Sequence, residues 1–318
     1  MSLIVAIAVF VGSVAVLIGS AKWFTNAAEK IGRRAGLSAF VVGVVIVSVG
    51  TSLPELVSSI LATRAGESEI VSGNILGSSL SNILFVLGLT ALLSARRIDL
   101  GAQYLYIDLN FLIGAATVVV VTFYDGVVEI GEATVGLLAY CVYVFYLLKA
   151  GESQSDADSE AIAAAHANTG SLLWPWLGLV ASGIIIFLSA NKTIESLSTI
   201  ALQLGASKAI VSLTLLSIGT TLPECVVSVT AARQGNAGIA VGNVLGSCVF
   251  NALAIPGVAT VFGPIVVPAE LLQFSLPFYA AMMLFFYLLT QDKKVSSFEG
   301  ALLLLLYVLF VGKLSSLI

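Results

Sequence analysis

Charge is scarce in this sequence. Only 10% of its 318 residues are Asp, Glu, Lys or Arg, while 58% are hydrophobic. A soluble domain carries roughly 25% charged residues. With a mean hydropathy of +1.06, so much apolar surface cannot be hidden inside one soluble core, and a lipid solvent is the better reading. The net charge of -4 is spread out with no basic cluster, so nucleic acid is not expected as a partner. Histidine is nearly absent: His166 stands alone in a polar segment and receives no role. Cysteine is equally sparse. Cys141, Cys225 and Cys248 all lie in apolar runs, with neither metal-ligand spacing nor a disulfide framework, and read as small buried apolar residues. The first apolar run, Leu3 to Ser20, lacks a basic flank and an obvious cleavage site, so it is expected to remain as a membrane helix.

What is abundant is apolar runs of membrane-spanning length. About 20 apolar residues cross a bilayer as a helix. The hydropathy pattern predicts ten spans, near 3–24, 38–63, 70–94, 104–123, 127–149, 172–194, 207–232, 239–262, 267–290 and 297–316. Residues 151–171 differ in kind, with Glu152, Asp156, Asp158 and Glu160 among serines and alanines. They read as a hydrophilic linker between two halves, 1–150 and 172–318. Cytoplasmic loops carry the excess of Lys and Arg. An outside N-terminus places ten basic residues inside (Lys22, Lys30, Arg33, Arg34, Arg96, Arg97, Lys149, Arg233, Lys293 and Lys294). It leaves four outside: Arg64, Lys192, Lys208 and Lys313. Both termini are therefore expected outside, in a multi-pass protein of the cell membrane.

The halves repeat each other at one constant separation. Ser20-Ala21 recurs as Ser189-Ala190, Gly36 as Gly205, Ser38 as Ser207, Gly50-Thr51 as Gly219-Thr220, and Pro54-Glu55 as Pro223-Glu224. Arg64 recurs as Arg233, Gly73-Asn74 as Gly242-Asn243, Gly77-Ser78 as Gly246-Ser247, and Asn82 as Asn251. Chance likeness between apolar segments would match Leu and Val, not polar residues and glycines without a gap. Five spans per half turn the second half upside down relative to the first. The expected fold is an all-α integral membrane protein of ten transmembrane helices arranged as two inverted five-helix repeats, an architecture of secondary transporters that work by alternating access.

Glu55 and Glu224 are the acidic residues well inside their apolar spans. A charge at the bilayer centre costs about 2.5 to 3.5 kcal/mol even on the milder scale, and intramembrane acids are functional by default. No Lys or Arg is predicted at their depth, which leaves protons or an inorganic cation as the compensating charge. Pro54 lacks an amide hydrogen and its ring clashes with the carbonyl of Gly50, and Pro223 should do the same at Gly219. Both helices are expected to break or kink there and free carbonyl oxygens, which is tolerated at membrane depth where backbone lines a site. Thr51, Ser52, Thr220 and Thr221 add hydroxyls, and Ser78, Asn82, Ser247 and Asn251 follow from the third and eighth spans. Ser78 and Asn82 share a helix face if that turn is regular. Taken singly, each serine serves packing as well as ligation. An oxygen-only set suits Ca2+, Na+ or Mg2+ and disfavours zinc or copper.

Gly50-Thr51-Ser52-Leu53-Pro54-Glu55 and Gly219-Thr220-Thr221-Leu222-Pro223-Glu224, each followed by a Gly-Asn-x-Leu-Gly-Ser run at Gly73 and Gly242, resemble the two alpha-repeat motifs of the Ca2+/cation antiporter superfamily. The nearest branch is the prokaryotic Na+/Ca2+ exchangers. The resemblance spans essentially the whole chain, with motif regions at 48–82 and 217–251. It implies that Glu55 and Glu224 are central Ca2+ ligands together with the carbonyls of Thr51 and Thr220. It implies that Na+ uses the same glutamates, helped by Ser52, Ser78, Thr220 and Ser247 and by backbone at Ser48 and Ser217, with Asn82 and Asn251 at the middle. Two positions depart from the pattern. Thr221 stands where a serine is usual, which bears on Na+ affinity. Asn251 stands where some relatives have aspartate, which argues against the K+-dependent branch.

The expected function is therefore antiport of Ca2+ for Na+, with the first and sixth spans as moving gates. The ions are substrates, no cofactor is expected, and the protein is expected to work as a monomer in the bilayer. Three Na+ per Ca2+, as the family implies, would make exchange electrogenic. The alternative is H+/Ca2+ antiport, because two close carboxylates favour replacing a cation by a proton; the many hydroxyls favour Na+. An intramembrane hydrolase would need a base beside a serine, and no His or Lys is in register. The large Ca2+-sensing domain of animal exchangers is not expected, since the linker is too short to hold one.

Overall fold

The computed structural model describes residues 2–94, 97–100, 108–152, 172–204 and 219–317. Eight helices among these are long and apolar enough to cross a bilayer. They are α1 (Leu3–Arg34), α2 (Ala39–Ala65), α3 (Glu69–Leu93), α5 (Ile130–Glu152), α6 (Leu173–Gln203), α8 (Ala237–Phe262), α9 (Leu271–Leu289) and α10 (Ser297–Leu317). Two shorter helices are α4 (Asp108–Phe123) and α7 (Leu222–Arg233). The chain is thus an all-helical membrane protein. Large apolar side chains such as Val121, Phe145 and Leu305 point outward at 65%, 69% and 66% exposure, as a lipid-facing surface requires. The N-terminal part of the predicted seventh span, including Ser217, and most of the 151–171 linker lie outside the described residues.

Helix ends follow local chemistry. Ser2 caps α1 by accepting from the Val5 amide at 3.4 Å, and Ser38 caps α2 through the Val41 amide at 3.3 Å. α1 ends at Gly36, whose φ of 70° suits a residue without Cβ, and Arg33 and Arg34 sit in its last turn where the helix dipole favours cations. α2 ends the same way at Gly66, φ 81°. The predicted ends near 24 and 194 fall short of the observed helices, which run to Arg34 and Gln203. Hydropathy marks where lipid stops, whereas a helix stops only at a breaker. At about 1.5 Å per residue, the 32 residues of α1 exceed the roughly 30 Å hydrocarbon layer.

π-turns recur at four places among the described residues, one of them opening α9 at Leu271–Ser275. π-turns interrupt α3 at Ser81–Val86 and α8 at Phe250–Ala254, and another interrupts α2 at Gly43–Val47. The turn in α3 starts between Ser78 and Asn82, so the regular helix face expected to hold both is not formed. Two-residue strands β1 (Ile98–Asp99) and β4 (Lys294–Val295) pair antiparallel. So do β2 (Val127–Val128) and β3 (Ile265–Val266). These short pairs were not foreseen, because two residues give no readable alternation.

Two apolar clusters organise the interior. The larger draws on α2–α5 and α7–α10. The smaller holds Leu17, Ala21, Phe24, Ala28 and Ile31 of α1 and Leu179, Ile186 and Ala190 of α6, with a few residues of α2, α7 and α8. α1 and α6 pack along each other and contribute no buried residue to the larger cluster. α8 crosses α2 at backbone distance. A Cβ on Gly242 would lie 3.0 Å from the Gly43 Cα, and one on Gly246 would lie 2.6 Å from Ser48 Oγ. Overpacking of a tight interior costs about 1–3 kcal/mol. Gly242→Ala is therefore expected to lower the thermal unfolding midpoint in detergent, whereas Gly12→Ala, with no described atom within 4 Å of its Cβ, should leave it unchanged. Equal midpoints for the two variants would mean that the crossing is not tight.

Candidate ion-binding site

The glutamates sit on α2 and α7 inside the bundle. Glu55 is 2% exposed and Glu224 fully buried, and the two carboxylates interact electrostatically. Glu55 lies one turn into the second half of α2. The chain stays helical from Ser48 to Ala65 with Pro54 inside, so of the break or kink expected at this proline the break is not observed. The Gly50 carbonyl still lacks its intrahelical donor, because Pro54 has no N–H. In the second half the expectation fits better. α7 begins only at Leu222, with Pro223 in its first turn, and Thr220 and Thr221 form a turn before it.

Hydrogen bonds join the two halves at the centre. Ser52 Oγ donates to Glu224 Oε1 at 3.1 Å and lies 3.1 Å from Ser247 Oγ. A hydroxyl carries one proton, so with Ser52 donating to the carboxylate, Ser247 is the donor of the second contact. Asn251 Nδ2 donates to Ser78 Oγ at 3.0 Å. Ser48 Oγ donates to the Val44 carbonyl. Thr51 Oγ1 reaches the Ser48 carbonyl at 3.2 Å and Asn243 Oδ1 at 3.1 Å.

After these bonds, five carboxyl and amide oxygens remain buried without a partner among the described residues: both of Glu55, Oε2 of Glu224, and Oδ1 of Asn82 and of Asn251. Buried polar atoms are paired in the great majority of cases, and each unpaired one costs about 1–3 kcal/mol. Neither glutamate has an ion-pair partner among the described residues; the ion pairs Arg33–Glu29 and Lys192–Glu195 lie elsewhere. A hard cation is the ligand that such oxygens fit. A narrow crevice that includes Pro54 and Pro223, the residues preceding the two glutamates, is lined by Phe24 of α1, Gly50, Thr51 and Pro54 of α2, Gly183, Ile186 and Phe187 of α6, and Pro223 of α7.

Of the predicted residues, Glu55, Glu224, Thr51, Ser48, Ser52, Ser78, Asn82, Thr221, Ser247 and Asn251 are all buried. Thr220 is exposed, and Ser217 lies outside the described residues. Asn243 was not foreseen as part of the site. It is fully buried and donates to the Glu224 carbonyl oxygen at 3.3 Å and to Ser228 Oγ at 2.8 Å. The signal for it was present in the repeat, as the match of Asn74 to Asn243.

Comparison with known proteins points the same way. The family model described as Sodium/calcium exchanger protein matches residues 5–149 and 174–314. An uncharacterized membrane protein of Methanocaldococcus jannaschii is 30% identical over 313 residues, covering 98% of this chain and 99% of its own. Sodium/calcium exchanger MaX1 of Methanosarcina acetivorans is 29% identical, covering 93% of this chain and 94% of its own. Among solved structures, the sodium-calcium exchanger NCX_Mj soaked with zero Na+ and Ca2+ superimposes with a TM-score of 0.80 at 28% identity, covering 98% of this chain and 100% of its own. With a family match along most of its length, this chain belongs to the sodium/calcium exchanger family of membrane ion transporters.

Proposed function

We propose that the protein exchanges Ca2+ for Na+ across the cell membrane by alternating access, at one site between two inverted five-helix repeats. The observation that carries this reading is the set of five unpartnered buried oxygens on Glu55, Asn82, Glu224 and Asn251, drawn from both halves and lacking any cationic side chain among the described residues. One Ca2+ neutralises both carboxylates. The Thr51 and Thr220 carbonyls join the glutamates around Ca2+, while several Na+ ions use the same glutamates with help from Ser52, Ser78, Thr220 and Ser247 and backbone at Ser48 and Ser217. Thr221 brings a further hydroxyl at the start of α7.

Several features support the repeat. The π-turns that begin at Ser81 and Phe250 stand at the same separation as Asn82 and Asn251 in the sequence match. β1 to β3 and β2 to β4 share one interval, just short of that separation, so the two strand pairs exchange under the same operation. α4 and α7, the two shorter helices, are read as belonging to the two remaining spans of the ten. α1 and α6 pack chiefly on each other and contribute no buried residue to the larger cluster, which suits a pair of helices that moves against the rest. Thr51 is buried while Thr220 is exposed, so the two copies of the motif stand in different surroundings, which suits a carrier that exchanges the environments of its two repeats.

The test is flux into proteoliposomes with Na+, K+ and H+ gradients imposed separately. Ca2+ uptake is expected to follow the Na+ gradient and to stop when it is collapsed. Uptake driven by a pH gradient without Na+ would establish the H+/Ca2+ alternative instead.

A further inference from the structure

Asn243 uses one side chain to hold both glutamate-bearing helices. From α8 it donates to the Glu224 carbonyl oxygen and the Ser228 hydroxyl of α7, and accepts from the Thr51 hydroxyl of α2. The other half carries the same side-chain chemistry at the matching repeat positions: Asn74 for Asn243, Ser59 for Ser228, with Thr220 as the mate of Thr51. There the bonds are not made. The Ser59 hydroxyl is buried without a partner. Asn74 is partly exposed and Thr220 exposed.

Two sets of identical side chains differ here only in their surroundings. An unpaired buried hydroxyl is costly, and so is rarely kept unless another arrangement of the molecule satisfies it. Resting on the alternating-access reading above, we propose that Asn243 and Asn74 are positioning residues that clamp the ion site in turn. In the arrangement described, Asn243 fixes Glu224 to Thr51 and closes the α2–α8 side. In the opposite arrangement, Asn74 takes the Ser59 hydroxyl and Thr220, fixes the backbone at Glu55, and releases the first clamp. Each clamp bonds a glutamate's backbone and leaves its carboxylate for the ion, so ligand number is preserved while the open side changes.

The experiment is radiolabelled Ca2+ self-exchange in oriented proteoliposomes, which needs no Na+, with half-saturation measured at each face. Asn243→Ala is expected to shift the ratio of the two half-saturation values by about tenfold, the change carried by one net hydrogen bond. Asn74→Ala should shift it comparably in the opposite direction, and the double variant should return toward the wild-type ratio. Merely structural asparagines would move both ratios the same way or not at all, and the double variant would not compensate; that result overturns the proposal. Ser228→Ala and Ser59→Ala, smaller changes that keep both asparagines, repeat the comparison if an asparagine variant fails to fold. Opposite shifts together with lost Na+ coupling would count against the Na+ reading alone, whereas intact Na+ coupling with same-sign shifts would sink the clamp alone.

Discussion

Glu55→Gln is expected to abolish Ca2+ uptake and at the same time to stabilise the ion-free protein. Both effects have one cause. Glu55 is 2% exposed, both its oxygens lack a partner, and it faces the field of Glu224. Without an ion, the carboxylate is desolvated and repelled with nothing in return. Glutamine keeps the shape and removes the charge. Removing one partner of a buried charge interaction costs roughly 3–5 kcal/mol, so Ca2+ affinity is expected to fall at least ~100-fold. Uptake should vanish at Ca2+ concentrations that saturate the wild type. The thermal midpoint of the ion-free variant should exceed that of ion-free wild type, and the rise produced by added Ca2+ should disappear. A variant that still accumulates Ca2+ would remove Glu55 from the site.

The membrane potential is expected to set the Ca2+ gradient that the protein can hold. Three Na+ against one Ca2+ moves one net positive charge per cycle. At 100 mV that charge is worth roughly 2.3 kcal/mol, which corresponds to about a 50-fold change in the equilibrium Ca2+ ratio. Proteoliposomes with a fixed Na+ ratio, clamped at different K+ diffusion potentials, should show this dependence, with positive charge following Na+. A ratio that ignores the potential would mean electroneutral exchange, of two Na+ or two H+ per Ca2+.

The carboxylate pair and most of its surroundings were legible from composition and spacing. Glu55 and Glu224 stand out because acids are rare in apolar spans, and Ser52, Ser78, Asn82, Ser247 and Asn251 because they lie in or beside motifs that recur at a fixed separation. The extent of α1 and α6 was less legible, since hydropathy falls after residue 24 while α1 continues to Arg34. Asn243 is visible in the sequence as a repeat match but not as a site residue. Its role depends on a close approach of α8 to α2 and α7, and spacing within one helix carries no information on that.

The sequence by itself determined that two copies of one motif carry a glutamate each into the membrane, because a charge in an apolar run and an ungapped repeat of polar residues are properties of the chain alone. Only the tertiary structure decided that the copies are unlike. The chain is helical through Pro54, yet α7 starts only at Leu222. Thr51 is bonded and buried, whereas Thr220 is exposed. Near-identical segments have near-identical local preferences, so the difference has to come from what each one packs against. For α2 that is α8, drawn in to backbone contact at Gly43 and Gly242.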